Sequence, residues 1–184
     1  KRMDPTVQKM ILSINHNHEK IKYIECRYSG PFMAVGSHAV DLLNFILPIK
    51  GIQSVLRHIS IEGDGYSSMM IGRGNELINL SYTGKRHEFI FELDAVTDKS
   101  RYQLTENLIK YEKSRLVKSN KYSGYKEYFV SESKSLENTS RFVAYLEKMY
   151  LQVQGKKKSS KNITKSIETQ VLMKKILEKG QKHT

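Results

Sequence analysis

With 184 residues, 39% of them hydrophobic and 27% charged, the chain has the composition of a soluble globular protein and enough apolar material for one domain with a proper core. Its longest apolar stretch, from Val40 to Ile49, is broken by Asp41, Asn44 and Pro48 and is too short to span a membrane. No apolar run follows the N-terminal Lys1-Arg2-Met3-Asp4-Pro5, so no signal peptide is expected. The single cysteine, Cys26, excludes an internal disulfide and fits a reducing compartment, with the cytoplasm as the expected location.

The formal net charge is +12 and unevenly placed. Residues 151–184 carry nine Lys against two Glu, whereas residues 1–150 carry 22 basic against 17 acidic residues. A basic tail can bind nucleic acid or an anionic membrane. Here the excess is Lys rather than Arg, and no aromatic residues are interleaved with it. A solvated Lys-rich helix accounts for it, and neither a nucleic-acid partner nor a membrane is expected.

Asp4-Pro5 opens a helix, with a capping side chain followed by proline at the first helical position. Val7, Met10, Ile11 and Ile14 follow at helical spacing, so the helix is predicted over about 5–17. Residues 21–29 alternate, with Ile24, Cys26 and Tyr28 on one face of a strand. A small-residue loop from Gly30 to Gly36 then leads into a helix predicted over 38–47, which Ser37 can cap and Pro48 ends. This helix is strongly apolar except for His38, Asp41 and Asn44, which lie three apart and share one face. Buried polar groups need partners. Two readings stay open from the residues alone: a core histidine hydrogen-bonded by Asp41, or an acid/base at the mouth of the helix.

From residue 51 to about 130, short segments rich in Ile, Tyr, Phe and Leu recur between Gly, Asp, Asn or Lys turns. Strands are predicted at 52–62, 66–72, 77–82, 88–93, 100–104, 108–116 and 125–130. Gly84-Lys85 reads as a tight hairpin between two of them. Helices are predicted at about 140–154 and 163–180, joined by the polar segment 155–162. Consecutive strands without intervening helices imply an α+β fold with an open, mainly antiparallel sheet and helices packed on one face. Tyr and Phe are plentiful in the strands, so the uncovered face is expected to be partly apolar and to mediate homo-oligomerisation.

Gly63-Asp-Gly65 and Gly72-Arg-Gly74 lack the third glycine of a dinucleotide fingerprint and open no helix, so both read as turns. His16, His18, His58, His87 and His183 have no acidic or cysteine partner at a metal-binding spacing. Cys26 reads as a small buried strand residue. The run Tyr122-Ser-Gly-Tyr125-Lys-Glu-Tyr128 could stack on a sugar or base, and a half-exposed strand explains it equally well.

Gly36-Ser-His38-Ala-Val-Asp41-Leu-Leu resembles the Gly-x-His-x-x-Asp helix of the glucose–fructose oxidoreductase and inositol dehydrogenase family. The resemblance extends along the chain in order. Lys1–Pro5 is similar to the start of the family's first C-domain helix, and Asn17–Tyr28 to the linker and strand after it. Phe89–Tyr102 is similar to a strand–turn–strand unit, and Phe142–Lys156 and Ser166–Leu177 to two closing helices. There are departures. Ala34 stands where members commonly carry an Asp four residues before the His, and the usual turn glycines are replaced in Ala95-Val-Thr-Asp-Lys-Ser100.

The resemblance implies that residues 1–184 form a single C-terminal substrate-binding and oligomerisation domain, with an N-terminal Rossmann domain outside this chain. It implies an NAD- or NADP-dependent dehydrogenase acting on a sugar or polyol derivative, the cofactor being held by that other domain and not here. His38 would be the acid/base and Asp41 would orient it. On this basis the isolated chain is expected to be inactive. A non-catalytic binding or oligomerisation module derived from the same family is the alternative, and Ala34 favours it.

Overall fold

The computed structural model describes residues 1–61, 63–85, 88–136, 143, 146–147, 150–151, 153–155 and 161–181, with backbone only for 161–163. Helix α1 (Pro5–His16) starts where the sequence places it. The Asp4 carboxylate accepts the Thr6 N–H at 3.1 Å and the Thr6 hydroxyl at 2.6 Å, satisfying a free donor of the first turn. The chain then runs through β1 (Ile21–Ser29), α2 (Ser37–Ile46), β2 (Ile49–His58), β3 (Gly65–Gly72) and β4 (Leu77–Gly84). Strands β5 (Phe91–Thr97), β6 (Ser100–Thr105), β7 (Lys110–Lys118) and β8 (Lys126–Ser135) follow, and α3 (Lys161–Gln181) comes last. The helix expected over 140–154 and the linker after it fall largely outside the described residues.

All eight strands form one sheet in the order β2-β3-β4-β1-β5-β6-β7-β8. Every pairing is antiparallel except β1 with β4, so the expected α+β class and mainly antiparallel sheet are found. The Gly84-Lys85 hairpin is not formed. Strand β1 lies between β4 and β5, with Cys26 opposite Leu80 on one side and Leu93 on the other. Burial explains this. Ile24, Cys26 and Tyr28 are wholly buried, and a strand so apolar on its helix side gains most from neighbours on both edges.

Strand ends also differ from the pattern. Phe89 adopts φ 38°, which delays β5 to Phe91, and Glu106, Asn107 and Leu108 at φ 52°, 60° and 70° delay β7 to Lys110. Gly63-Asp-Gly65 and Gly72-Arg-Gly74 lie where β2, β3 and β4 connect, as turns.

The core forms between the sheet and the helices. Val7 and Met10 of α1, Leu42 and Leu43 of α2, and Met173 and Ile176 of α3 pack with Tyr28, Met70, Leu80, Phe91, Tyr102 and Tyr111 of the strands. Tyr28, Phe32, Tyr66, Phe91, Tyr102 and Tyr111 are thus buried between sheet and helices. The uncovered face is mixed. Glu25, Arg27, Asp94 and Arg101 lie near its centre, and the two arginines make ion pairs with Glu92 and Asp94. Met69, Leu77, Tyr128 and Val130 are exposed on the same face, which is partly apolar as expected.

Below the end of α1 lies a buried ionic cluster. The Glu19 carboxylate accepts from the hydroxyls of Thr97 (2.5 Å), Tyr102 (2.9 Å) and Ser100 (3.2 Å) and pairs with Lys113 at 3.3 Å. Lys113 also donates to Ser13 at 2.9 Å, tying α1 to β5, β6 and β7.

Candidate functional site

The site is built on the connection from β1 to α2. Gly30 turns the chain at φ 92°, and Phe32–Gly36 then form a single π-helical turn that runs directly into α2. Such turns are frequent at functional sites. Ser37 does not cap the helix as expected. Its N–H bonds to Phe32 O within the π-turn, and its hydroxyl donates to Ala34 O at 3.4 Å, so no side-chain cap is needed.

Gly36 explains the glycine of the motif. A Cβ there would lie 2.5 Å from Phe32 Cδ2 and 3.0 Å from the Tyr28 ring. That ring is itself fixed, because the Tyr28 hydroxyl donates to Tyr66 O at 2.9 Å and accepts Tyr66 N–H at 2.8 Å. The neighbouring loops are tied to the turn. Phe32 N–H reaches Asp64 O at 2.9 Å, and Ser29 exchanges two hydrogen bonds with the Ile90 backbone at 2.9 and 2.7 Å.

The three polar residues of the α2 stripe have three different surroundings. Asn44 is buried, and its Oδ1 accepts the Ile49 N–H at 3.1 Å, holding the turn at Pro48. Asp41 is not hydrogen-bonded to His38. Arg2 Nε donates to Asp41 Oδ2 at 2.7 Å, the Arg2 Nη2 pairs with Oδ1, and the Thr169 hydroxyl of α3 donates to Oδ1 at 2.9 Å. A bidentate Arg–carboxylate pair is the strongest ionic contact available to this face. Arg2 and Thr169 are both buried, so Asp41 fastens α2 to the residues before α1 and to α3.

His38 is exposed on the first turn of α2, with no hydrogen bond to another described residue. Its core-histidine reading is therefore set aside by its position. Protein around the ring reduces its hydration, and the Lys1 side chain adds positive charge. Together these push the imidazole below its ordinary pKa, against an opposing pull from Asp41. The ring is thus neutral near pH 7, the state in which one nitrogen can accept a proton. Exposed Met33 and Ala34 stand beside it on the π-turn, so the carboxylate usual at that place is missing.

Sequence reasoning missed Arg2 and Thr169. Arg2 stands just before the Asp4-Pro5 cap, but nothing in the pattern ties it to a residue 39 positions away, nor Thr169 to one 128 away. Among the described residues no three His, Cys, Asp or Glu side chains gather as a metal site would require. None of the described helices is long and apolar enough to cross a membrane.

No protein-family model matches the sequence, and no curated protein matches it. Solved structures do. The super-repressor mutant of Gal80p from Saccharomyces cerevisiae superposes with a TM-score of 0.73 at 11% identity, over 100% of this chain and 62% of that one. Levoglucosan dehydrogenase in complex with NADH and L-sorbose gives 0.73 at 7% identity, over 100% and 62%. The dehydrogenase MviM from Clostridium difficile gives 0.67 at 14% identity, over 95% and 60%. At such identities the likeness establishes the fold. The fold is that of oxidoreductases of the glucose–fructose oxidoreductase and inositol dehydrogenase type, and the chain spans about three fifths of each of these neighbours.

Proposed function

We propose that this chain is the C-terminal, substrate-side domain of an NAD- or NADP-dependent oxidoreductase acting on a sugar or polyol derivative. The observation that carries the proposal is His38, exposed and without a hydrogen bond to another described residue, at the start of α2 in a chain of this fold. A neutral imidazole within reach of a substrate hydroxyl can accept its proton, and in the reverse direction return it to a carbonyl oxygen. Asp41 acts as a positioning residue: by holding α2 against Arg2 and Thr169 it fixes where His38 stands.

The residues described here do not fit the dinucleotide itself. The first N–H groups of α2 are turned into the π-turn, and Gly63-Asp-Gly65 and Gly72-Arg-Gly74 lead into strands rather than a helix. NAD or NADP would be held by a separate nucleotide-binding domain, and this chain's share is to bind the substrate and move its proton. Association of copies through the open sheet face, near Met69 and Leu77, belongs to the same reading, as does work in the reducing cytoplasm, which a single buried Cys26 suits.

A second reading, a binding module without catalysis, is favoured by one observation: position 34 is Ala, and among the described residues no carboxylate is hydrogen-bonded to His38. The whole protein, supplied with NAD or NADP and a panel of sugars and polyols, separates the two. Cofactor reduction that His38→Asn lowers by ~10²-fold or more is expected. Substrate binding without turnover would establish the second reading.

A further inference from the structure

Among the described residues two large apolar side chains sit at a positive φ: Leu108 at 70° and Phe89 at 38°. For such side chains this region is strained, and it persists only where the surrounding structure holds it. The two differ in what offsets the strain. Leu108 is wholly buried in the core, and the Thr6 hydroxyl donates to its carbonyl at 2.7 Å. Phe89 is 58% exposed and has no such burial. It is nonetheless fixed from both sides. Glu88 N–H donates to Lys85 O at 3.2 Å, and Ile90 is bonded twice to Ser29. Phe91 is buried, and an unbroken strand would send Phe89 to the same side; its φ turns the ring out instead. The ring emerges at the end of the sheet that carries the site. Ser29 leads through Gly30 into the π-turn and His38. Lys1 bridges the same region: its Nζ lies 4.9 Å from the centre of the Phe91 ring, and its charge acts on the His38 imidazole.

We propose that Phe89 is a specificity-determining residue of this site, a platform for the apolar face of a closed-ring sugar or cyclitol, and that it sets a preference for such rings over open-chain polyols. The inference rests on the oxidoreductase reading above and narrows its substrate class. A closed polyhydroxy ring has hydroxyls around its edge and C–H groups on its faces. Phe89, Met33 and Ala34, all exposed, offer apolar surface to a face, while His38 offers a proton acceptor to a hydroxyl at the edge. Apolar surface withdrawn from water on both partners supplies affinity, and a few polar groups then fix orientation. An open-chain polyol rotates about each carbon–carbon bond, so it presents no lasting C–H face and loses more freedom when held. Ala34 fits this division. Without a carboxylate at that position, orientation passes from a hydroxyl contact to the face of the ring.

The test uses the whole protein supplied with NAD or NADP. Calorimetry compares methyl β-glucopyranoside, methyl α-mannopyranoside and myo-inositol, whose rings cannot open, with sorbitol, and cofactor reduction is followed on the same panel. At least one closed ring is expected to bind, and sorbitol at least about tenfold more weakly. Phe89→Ala is expected to weaken ring binding at least about tenfold, raising KM more than it lowers kcat, and to leave sorbitol unchanged. Phe89→Tyr keeps an aromatic face and is expected to retain ring binding. Phe89→Gly separates this role from a structural one. Glycine adopts φ 38° without strain, so this variant is expected to melt no lower than the native protein while losing ring binding. Equal binding of rings and sorbitol, no binding of any ring, ring binding indifferent to Phe89→Ala, or stability lost together with binding in Phe89→Gly would overturn the proposal. The oxidoreductase reading fails separately. Phe89-dependent ring binding without cofactor reduction would refute that reading and leave the platform standing, and cofactor reduction indifferent to Phe89→Ala would do the reverse.

Discussion

His38 and Gly36 stand two residues apart and answer to different forces. His38 meets solvent and has no bonded partner in the described protein, so His38→Asn should leave the melting temperature nearly unchanged, within the ~0.5 kcal/mol typical of surface positions. A loss of roughly 1–3 kcal/mol would instead mark it as a buried, bonded group. Gly36 has an ordinary helical φ of −58°, so its glycine is required by space rather than by backbone conformation. Gly36→Ala forces a methyl against Phe32 and Tyr28, and is expected to cost about 1–3 kcal/mol, read by chemical denaturation. If Gly36→Ala proved neutral, the close packing of the π-turn on Tyr28 would be refuted. Both motif residues were legible in the sequence, but their reasons were not. A steric contact between Gly36 and Tyr28 is a property of packing, and no local pattern encodes it.

At the scale of elements, α1 is held to the strands by the Glu19 cluster. Burial acts to raise the Glu19 pKa, but the hydrogen bonds from Thr97 and Tyr102 and the charge of Lys113 outweigh it and hold the group below its ordinary value. The sign follows. A carboxyl whose folded pKa is depressed contributes stability above its unfolded pKa and loses it as pH falls through the folded value. Acid titration should therefore destabilise the protein below the ordinary glutamate range. Glu19→Gln should remove that part of the acid dependence and destabilise the fold at neutral pH by about 3–5 kcal/mol, because Lys113 is left buried without its counter-charge. Adding Lys113→Met should recover part of the loss. An unchanged acid transition in Glu19→Gln would contradict the assignment. The sequence showed α1 from its Asp4-Pro5 start and its apolar spacing, but it gave no sign that Glu19 would be buried. Its partners lie 78 to 94 residues away, on three strands that only the sheet brings together.

For the whole molecule, titration calorimetry of this chain with NAD and with NADP is expected to show no binding in the micromolar range, since no Gly-x-Gly turn opens a helix in the described residues. Micromolar affinity for either would refute the division of labour proposed above.

Alternation and turn residues determined most strands, the α+β class and the inward placement of Ile24, Cys26 and Tyr28, because side-chain period and burial are local consequences of residue order. The order of the strands was not local. Gly84-Lys85 looked like a hairpin, yet β1 entered between the two segments, since apolar surface on a central strand outweighs the preference of a tight turn. The polar stripe of α2 was equally plain from spacing, and tertiary structure alone gave its members their roles. Asn44 found a turn, Asp41 found Arg2 and Thr169, and His38 was left facing water. Spacing decides which residues share a face, but what stands opposite that face depends on segments far apart in the chain.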